Sequence, residues 1–137
     1  MFSVTKITVR YAETDQMGIV HHSVYPVWFE AGRTDLIKLA GVTYSKVEQR
    51  GLLLPLISLS CTYKGYAAYE DEVVVITSLK EQTYTRMVFE YEVRKKDIVI
   101  TSGTTNHVWT NKALKPVNIK KKAPDLYDAF TKFIEID

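Results

Sequence analysis

A chain of 137 residues holds enough material for one domain with a substantial core and not for two. Its 46% hydrophobic and 25% charged residues are ordinary globular values, which exclude a disordered chain. A net charge of +2 supplies no global field for a polyanion, so nucleic acid is excluded as a main partner.

Phe2 to Tyr11 alternates with period two and predicts a strand. Ala12 to His22 follows as a loop carrying Asp15 and Gly18. Ser23 offers an N-cap hydroxyl and Pro26 sits in a first turn, so a helix is expected from there to about Ala40, stopped by Gly41. Tyr25, Trp28, Phe29, Gly32, Leu36 and Leu39 keep helical spacing along it. Thr43 to Arg50 reads as a short second helix ended by Gly51. Strands follow at Leu52 to Tyr63, broken near Pro55, then Glu72 to Glu81, Thr85 to Arg94 and Ile98 to Thr110. Lys95-Lys96-Asp97 reads as a tight hairpin connection, and Gln82-Thr83 as another. Asp125 to Ile136 has the pattern of a short amphipathic helix. Four consecutive strands favour hairpin pairing, and one long, broadly apolar helix needs a sheet curved around it. The expectation is an α+β fold in which a mainly antiparallel five-stranded sheet wraps one helix, with residues 1–137 as one domain.

The lone cysteine, Cys61, lies in an apolar run and makes no internal pair, and its bland reading is a small core residue. No run approaches the roughly 20 apolar residues of a membrane-spanning helix, and the first residues lack a signal layout. A cytoplasmic location is therefore expected.

Asp15 is the residue of greatest chemical interest. It stands eight positions before Ser23, too far to cap that helix locally. Free backbone N–H groups at a helix start form a ready oxyanion site. A carboxylate facing them can attack an activated acyl group or deprotonate a water. The competing reading is a structural turn aspartate. His21 and His22 are adjacent, and His107 lies far off in a strand; together they make a poor zinc set, so no metal is expected. Glu30 reads as an ordinary exposed helix residue. Lys112, Lys115, Lys120, Lys121 and Lys122 form either a solvated basic segment or a site for ligand phosphates. Motifs for a serine hydrolase, a P-loop or a dinucleotide fold are missing.

The segment YAETDQMGIVHHSVYPVWFEAGR, Tyr11 to Arg33, resembles the signature of hotdog-fold acyl-CoA thioesterases, in particular the 4-hydroxybenzoyl-CoA thioesterase-like and Tol–Pal-associated groups. Tyr63 to Val73 is similar to the family's strand-turn-strand element, with Tyr66 where proline is usual; Gly103 to Val108 and Lys115-Pro116 resemble its last strand and exit. The resemblance implies a hotdog fold and hydrolysis of an acyl-CoA to free acid and CoA, with no cofactor. It implies Asp15 as the catalytic carboxylate, the His22 N–H as oxyanion donor with an assisting His22 side chain, and Tyr11 beside the site. Gly18, Tyr25 and Tyr63 fall where substrate contacts are expected. It also implies a homodimer or homotetramer with sites at the interface. Two alternatives stay open: a non-catalytic acyl-CoA-binding module and a hydratase or dehydratase of the same fold.

Overall fold

The computed structural model describes residues 1–135, the Glu135 side chain excepted. The elements are β1 (Phe2–Thr8), α1 (Tyr25–Leu39), α2 (Tyr44–Gln49), β2 (Leu56–Tyr63), β3 (Glu72–Gln82), β4 (Arg86–Lys95), β5 (Ile98–Val108), α3 (Ile119–Lys122) and α4 (Pro124–Glu135). Two single 3₁₀ turns, Tyr11–Glu13 and His22–Val24, lie between β1 and α1. The strands form one sheet in the order β1-β3-β4-β5-β2, antiparallel at every pair. This is the expected α+β hotdog arrangement.

Several boundaries differ from the sequence expectation for physical reasons. β1 ends at Thr8, not Tyr11: Val9 still pairs with Asp71 (2.9 Å), but the Glu13 carboxylate takes the Arg10 N–H (2.8 Å) and bends the chain away. β2 starts only after Pro55, which has no N–H to donate to a ladder. The cap of the long helix is not Ser23. His21 Nδ1 accepts the Ser23 N–H (3.2 Å) and starts a 3₁₀ turn, and α1 continues from it at Tyr25. Thr43 caps α2 through Lys46 N–H, as its sequence suggests. The β4–β5 connection is a two-residue turn in which Lys96 (φ 50°) and Asp97 (φ 65°) both take left-handed backbone, the geometry that suits strand twist. α3 was not expected, and Ile136 of the expected tail helix lies outside the described residues.

Alternation sorts the sheet into two faces. Val73, Val75, Thr77 and Leu79 of β3 and Met87, Phe89, Tyr91 and Val93 of β4 are buried against the helices. α1 answers with Trp28, Phe29, Leu36 and Ile37, and the Phe29 ring stacks on Tyr91 at 4.3 Å. α4 adds Leu126, Phe130 and Phe133 to the same core.

A hydrogen-bond chain crosses this core in one direction. Arg33 Nη1 donates to the Tyr91 hydroxyl (3.0 Å), which therefore spends its one proton on Thr105 Oγ1 (2.6 Å). His107 Nδ1 faces the Leu54 carbonyl (3.1 Å), an acceptor only, so Nδ1 carries the proton and Nε2 accepts from Thr105 (2.9 Å). Protonating Nε2 would break the chain. Burial, reinforced by the Arg33 charge and opposed by Leu54, pushes the His107 pKa down to about 4. The folded pKa thus lies below that of the unfolded chain. His107 contributes its stability fully above pH 6.5 and loses it as the pH falls toward 4. Chemical denaturation between these limits is expected to show a loss of up to roughly 3 kcal/mol, and His107→Gln, which can keep both bonds, is expected to flatten that slope. A wild-type stability that does not change over the window contradicts the assignment.

Candidate active site

Asp15 lies on the turn between the two 3₁₀ segments. The turn is closed by Asp15 N–H to Ile19 O (2.9 Å) and Gly18 N–H to Asp15 O (2.9 Å), and its base is a bridge between Thr14 and Val20. Gly18 takes φ 80°, which a side chain at this position would strain. One carboxylate oxygen, Oδ1, accepts the Met17 N–H (2.8 Å) and fixes the side chain in an Asx turn. Oδ2 has no hydrogen-bond partner among the described residues.

The turn also holds the start of the helix in place. His21 N–H donates to Glu13 O (2.9 Å), and Val20 N–H to Ala67 O (2.9 Å). The Tyr63 hydroxyl donates to the His22 carbonyl (3.0 Å). Partial burial, with the neighbouring Cys61 thiol, pushes that hydroxyl up to about 12, so it stays a donor at any working pH. The His22 N–H, first in its 3₁₀ turn, has no acceptor among the described residues. The imidazoles of His21 and His22 lie 4.1 Å apart, and His22 is exposed.

Asp15 and His22 line one cavity of about 140 Å³ with Tyr25, Tyr63 and Tyr66. Ile19 and Val20 supply apolar wall. All six residues assigned to the site from sequence, Asp15 and five others, therefore line two adjoining spaces that share Asp15. Tyr25 and Tyr63 are in the 140 Å³ cavity, while Tyr11 and Gly18 border Asp15 from an open groove of about 580 Å³ shared with Tyr69. Tyr11 is exposed and packs edge-on against Tyr69 at 5.5 Å. A larger groove of about 710 Å³ lies on the outer sheet face where Lys6, Val74 and Arg94 are in register. Its lining charges balance and include the Lys95–Asp71 pair (2.6 Å); it holds neither Asp15 nor a helix start, and we do not assign it the chemistry.

Two features escaped the sequence reading. Glu13 is buried in the motif, and Trp28 donates to it from α1 (2.9 Å). The basic segment also lies elsewhere than a phosphate site next to Asp15 requires. Lys120 sits over the Tyr84 and Tyr127 rings (5.2 and 5.5 Å), by the β3–β4 turn, at the opposite end of the sheet from the β1–α1 loop. His107 is enclosed in the core and apart from His21 and His22. Glu30 is exposed on α1, as expected. Cys61 is half-buried beside Tyr63 and not fully in the core.

One sheet curved around a long helix, with a carboxylate turn facing the helix start, defines a hotdog-fold thioesterase. The chain belongs to the thioesterase superfamily, whose pattern matches residues 17–102. It is similar to the putative acyl-CoA thioesterase YneP of Bacillus subtilis, with 38% identity over 95% of this chain and 96% of that protein. The solved DHNA-CoA thioesterase of Staphylococcus aureus superposes with a TM-score of 0.92 at 34% identity, covering 96% of this chain and 89% of that one. A hypothetical protein from Thermus thermophilus gives a TM-score of 0.89 at 38% identity over 97% and 98% of the two chains. Among the described residues no helix is long and apolar enough to cross a membrane.

Proposed function

We propose that this thioesterase hydrolyses acyl-CoA, with the Asp15 carboxylate as nucleophile or general base and the His22 backbone N–H as the donor to the thioester oxygen. The observation that carries the reading is the shared cavity: Asp15 and His22, which carry a carboxylate oxygen and a helix-start amide without hydrogen-bond partners among the described residues, line the same 140 Å³. As the carbonyl carbon becomes tetrahedral, negative charge moves to its oxygen, where a fixed N–H stabilises it more than in the ground state. Collapse breaks the carbon–sulfur bond; the thiolate leaves as CoA-SH after protonation, and water supplies the acid's second oxygen. The His22 imidazole assists at the mouth, where it is exposed. Tyr25 and Tyr63 form the wall against the acyl group, and Tyr11 and Gly18 border the open groove in which the pantetheine arm lies. The small aromatic cavity favours a compact or aryl acyl group, in keeping with the substrate that names the Staphylococcus aureus relative.

The whole chain acts as one domain, and two copies pair through β2. Among the described residues that strand pairs in the sheet with β5 alone and leaves its other edge open, and Leu56, Ile57, Leu59 and Tyr63 are exposed along it. The interface would bring a second copy alongside each site.

The test is thiol release from acyl-CoAs ranging from acetyl to long-chain, with benzoyl-CoA included. Turnover is expected, with higher kcat/KM for compact acyl groups than for long chains. Binding without thiol release from any of them would replace hydrolysis with the binding-module reading. Loss of enoyl-CoA absorbance without thiol release would point to a hydratase.

A further inference from the structure

Glu13 is the one strongly buried carboxylate among the described residues, 7% exposed, and the hydrolysis proposed above does not use it. It stands two positions before Asp15. Oε1 accepts the Arg10 N–H at 2.8 Å, and Oε2 accepts the Trp28 indole N–H at 2.9 Å. The Arg10 guanidinium lies 3.5 Å from Oε2. The backbone carbonyl of Glu13 takes the His21 N–H at 2.9 Å. One residue thus ties together the exit of β1, the inner face of α1 and the peptide next to His22.

A carboxylate whose two oxygens each face a donor has one satisfied orientation, and a buried one resists leaving it. Burial alone would raise its pKa, but the Arg10 amide, the Trp28 indole and the Arg10 guanidinium outweigh that and hold it below the usual carboxylate range. The tie continues on the far side of the cavity. Trp28 packs edge-on against Tyr25 at 5.0 Å, and Tyr25 against Tyr63 at 5.5 Å, whose hydroxyl holds the His22 carbonyl.

We propose that Glu13 is a positioning residue for hydrolysis: through Arg10, Trp28 and His21 it holds the Asp15 carboxylate at a fixed distance from the His22 amide. The proposal rests on the assignment of Asp15 and His22 made above. Glu13 itself does not touch substrate. Removing it loosens the approach of two groups whose value depends on alignment, so the loss falls on kcat and spares KM.

The experiment is a double-mutant cycle on the full chain. Glu13→Gln keeps the shape but presents an amide N–H to one of two donors. We expect kcat to fall by roughly 10–100-fold with KM within about threefold. Trp28→Phe removes the indole donor from the opposite side and is expected to lower kcat by a smaller factor, again sparing KM. Because both act through one contact, the double variant is expected to lose less than the product of the single losses. A Glu13→Gln enzyme with wild-type kcat, or losses that multiply independently, overturns the proposal. If Glu13→Gln does not fold, Trp28→Phe decides alone: lower kcat at unchanged KM supports the proposal, and wild-type kcat overturns it. Asp15→Asn is assayed in parallel. If it stays active, the functional reading fails; if it is inactive while Glu13→Gln is normal, only the positioning role fails.

Discussion

Asp15→Asn is expected to lower kcat on an acyl-CoA by at least roughly 10²–10⁴-fold, the range for loss of a group that attacks or takes a proton, with the thermal unfolding midpoint essentially unmoved. The substitution is chosen for what it keeps. An asparagine oxygen can still accept the Met17 N–H now bound at 2.8 Å, and the backbone bonds that close the turn do not involve the side chain. What goes is the charge on the second oxygen, the one that lacks a partner. An amide nitrogen there is neither a nucleophile nor a base. KM should change little, because the carboxylate contributes to the transition state and not to holding the CoA portion. Turnover within threefold of wild type would remove Asp15 from the chemistry and leave it as a turn residue.

The second large effect concerns how α1 is held at the sheet. Gly103→Ala is expected to destabilise the fold by the upper part of the roughly 1–3 kcal/mol range for overpacking, seen as a melting point lower by about 10 °C in a domain of this size. A Cβ at Gly103 would meet the Ser60 carbonyl at 2.5 Å and the Phe29 ring at 2.6 Å. Neither neighbour is free to retreat. Ser60 belongs to β2, whose register on β5 runs through Cys61 opposite Gly103. Phe29 is fully buried and stacked on Tyr91. The helix can yield only by lifting off the sheet, and its first turns carry Tyr25 and Trp28 beside the site. Activity should therefore fall with stability in this variant, unlike in Asp15→Asn. Scanning calorimetry with a parallel thiol-release assay checks it; an unchanged melting point would mean that β2 and Phe29 move apart without cost.

The element order was legible because alternation and helical spacing are local properties. Met87, Phe89, Tyr91 and Val93 alternate with Val88, Glu90 and Glu92, whereas the apolar run Val73 to Ile76 marks a strand without showing which face is buried. The loop with Asp15 and Gly18 ahead of a helix was legible for the same reason, since all of it lies within a dozen residues, whereas the part given to His22 came from the family resemblance. What stayed hidden depends on which segments meet. Glu13 reads as one more charge in an exposed loop until Trp28, fifteen residues on, places an indole N–H against it. His107 reads as a strand histidine until Tyr91, Thr105 and Arg33 are brought together from two strands and a helix. Ser23 has the chemistry of a cap, but the imidazole of His21 starts the turn two residues earlier by accepting Ser23's own N–H, and the Ser23 hydroxyl bonds that imidazole instead of a later amide. The lysines near the C-terminus have the charge to bind phosphate, but their sequence does not show that Lys120 lies over Tyr84 by the β3–β4 turn. α3, four residues long, is too short to have a period.

The most direct measurement is the structure of the chain bound to an acyl-CoA analogue in which the thioester sulfur is replaced by methylene, leaving a ketone that cannot be cleaved. The account predicts the ketone oxygen within hydrogen-bond reach of the His22 N–H, about 2.7–3.1 Å, with an Asp15 oxygen directed at the carbonyl carbon or at a water beside it. An analogue seated with its carbonyl remote from both groups, for example in the groove between Lys6 and Arg94, would contradict it.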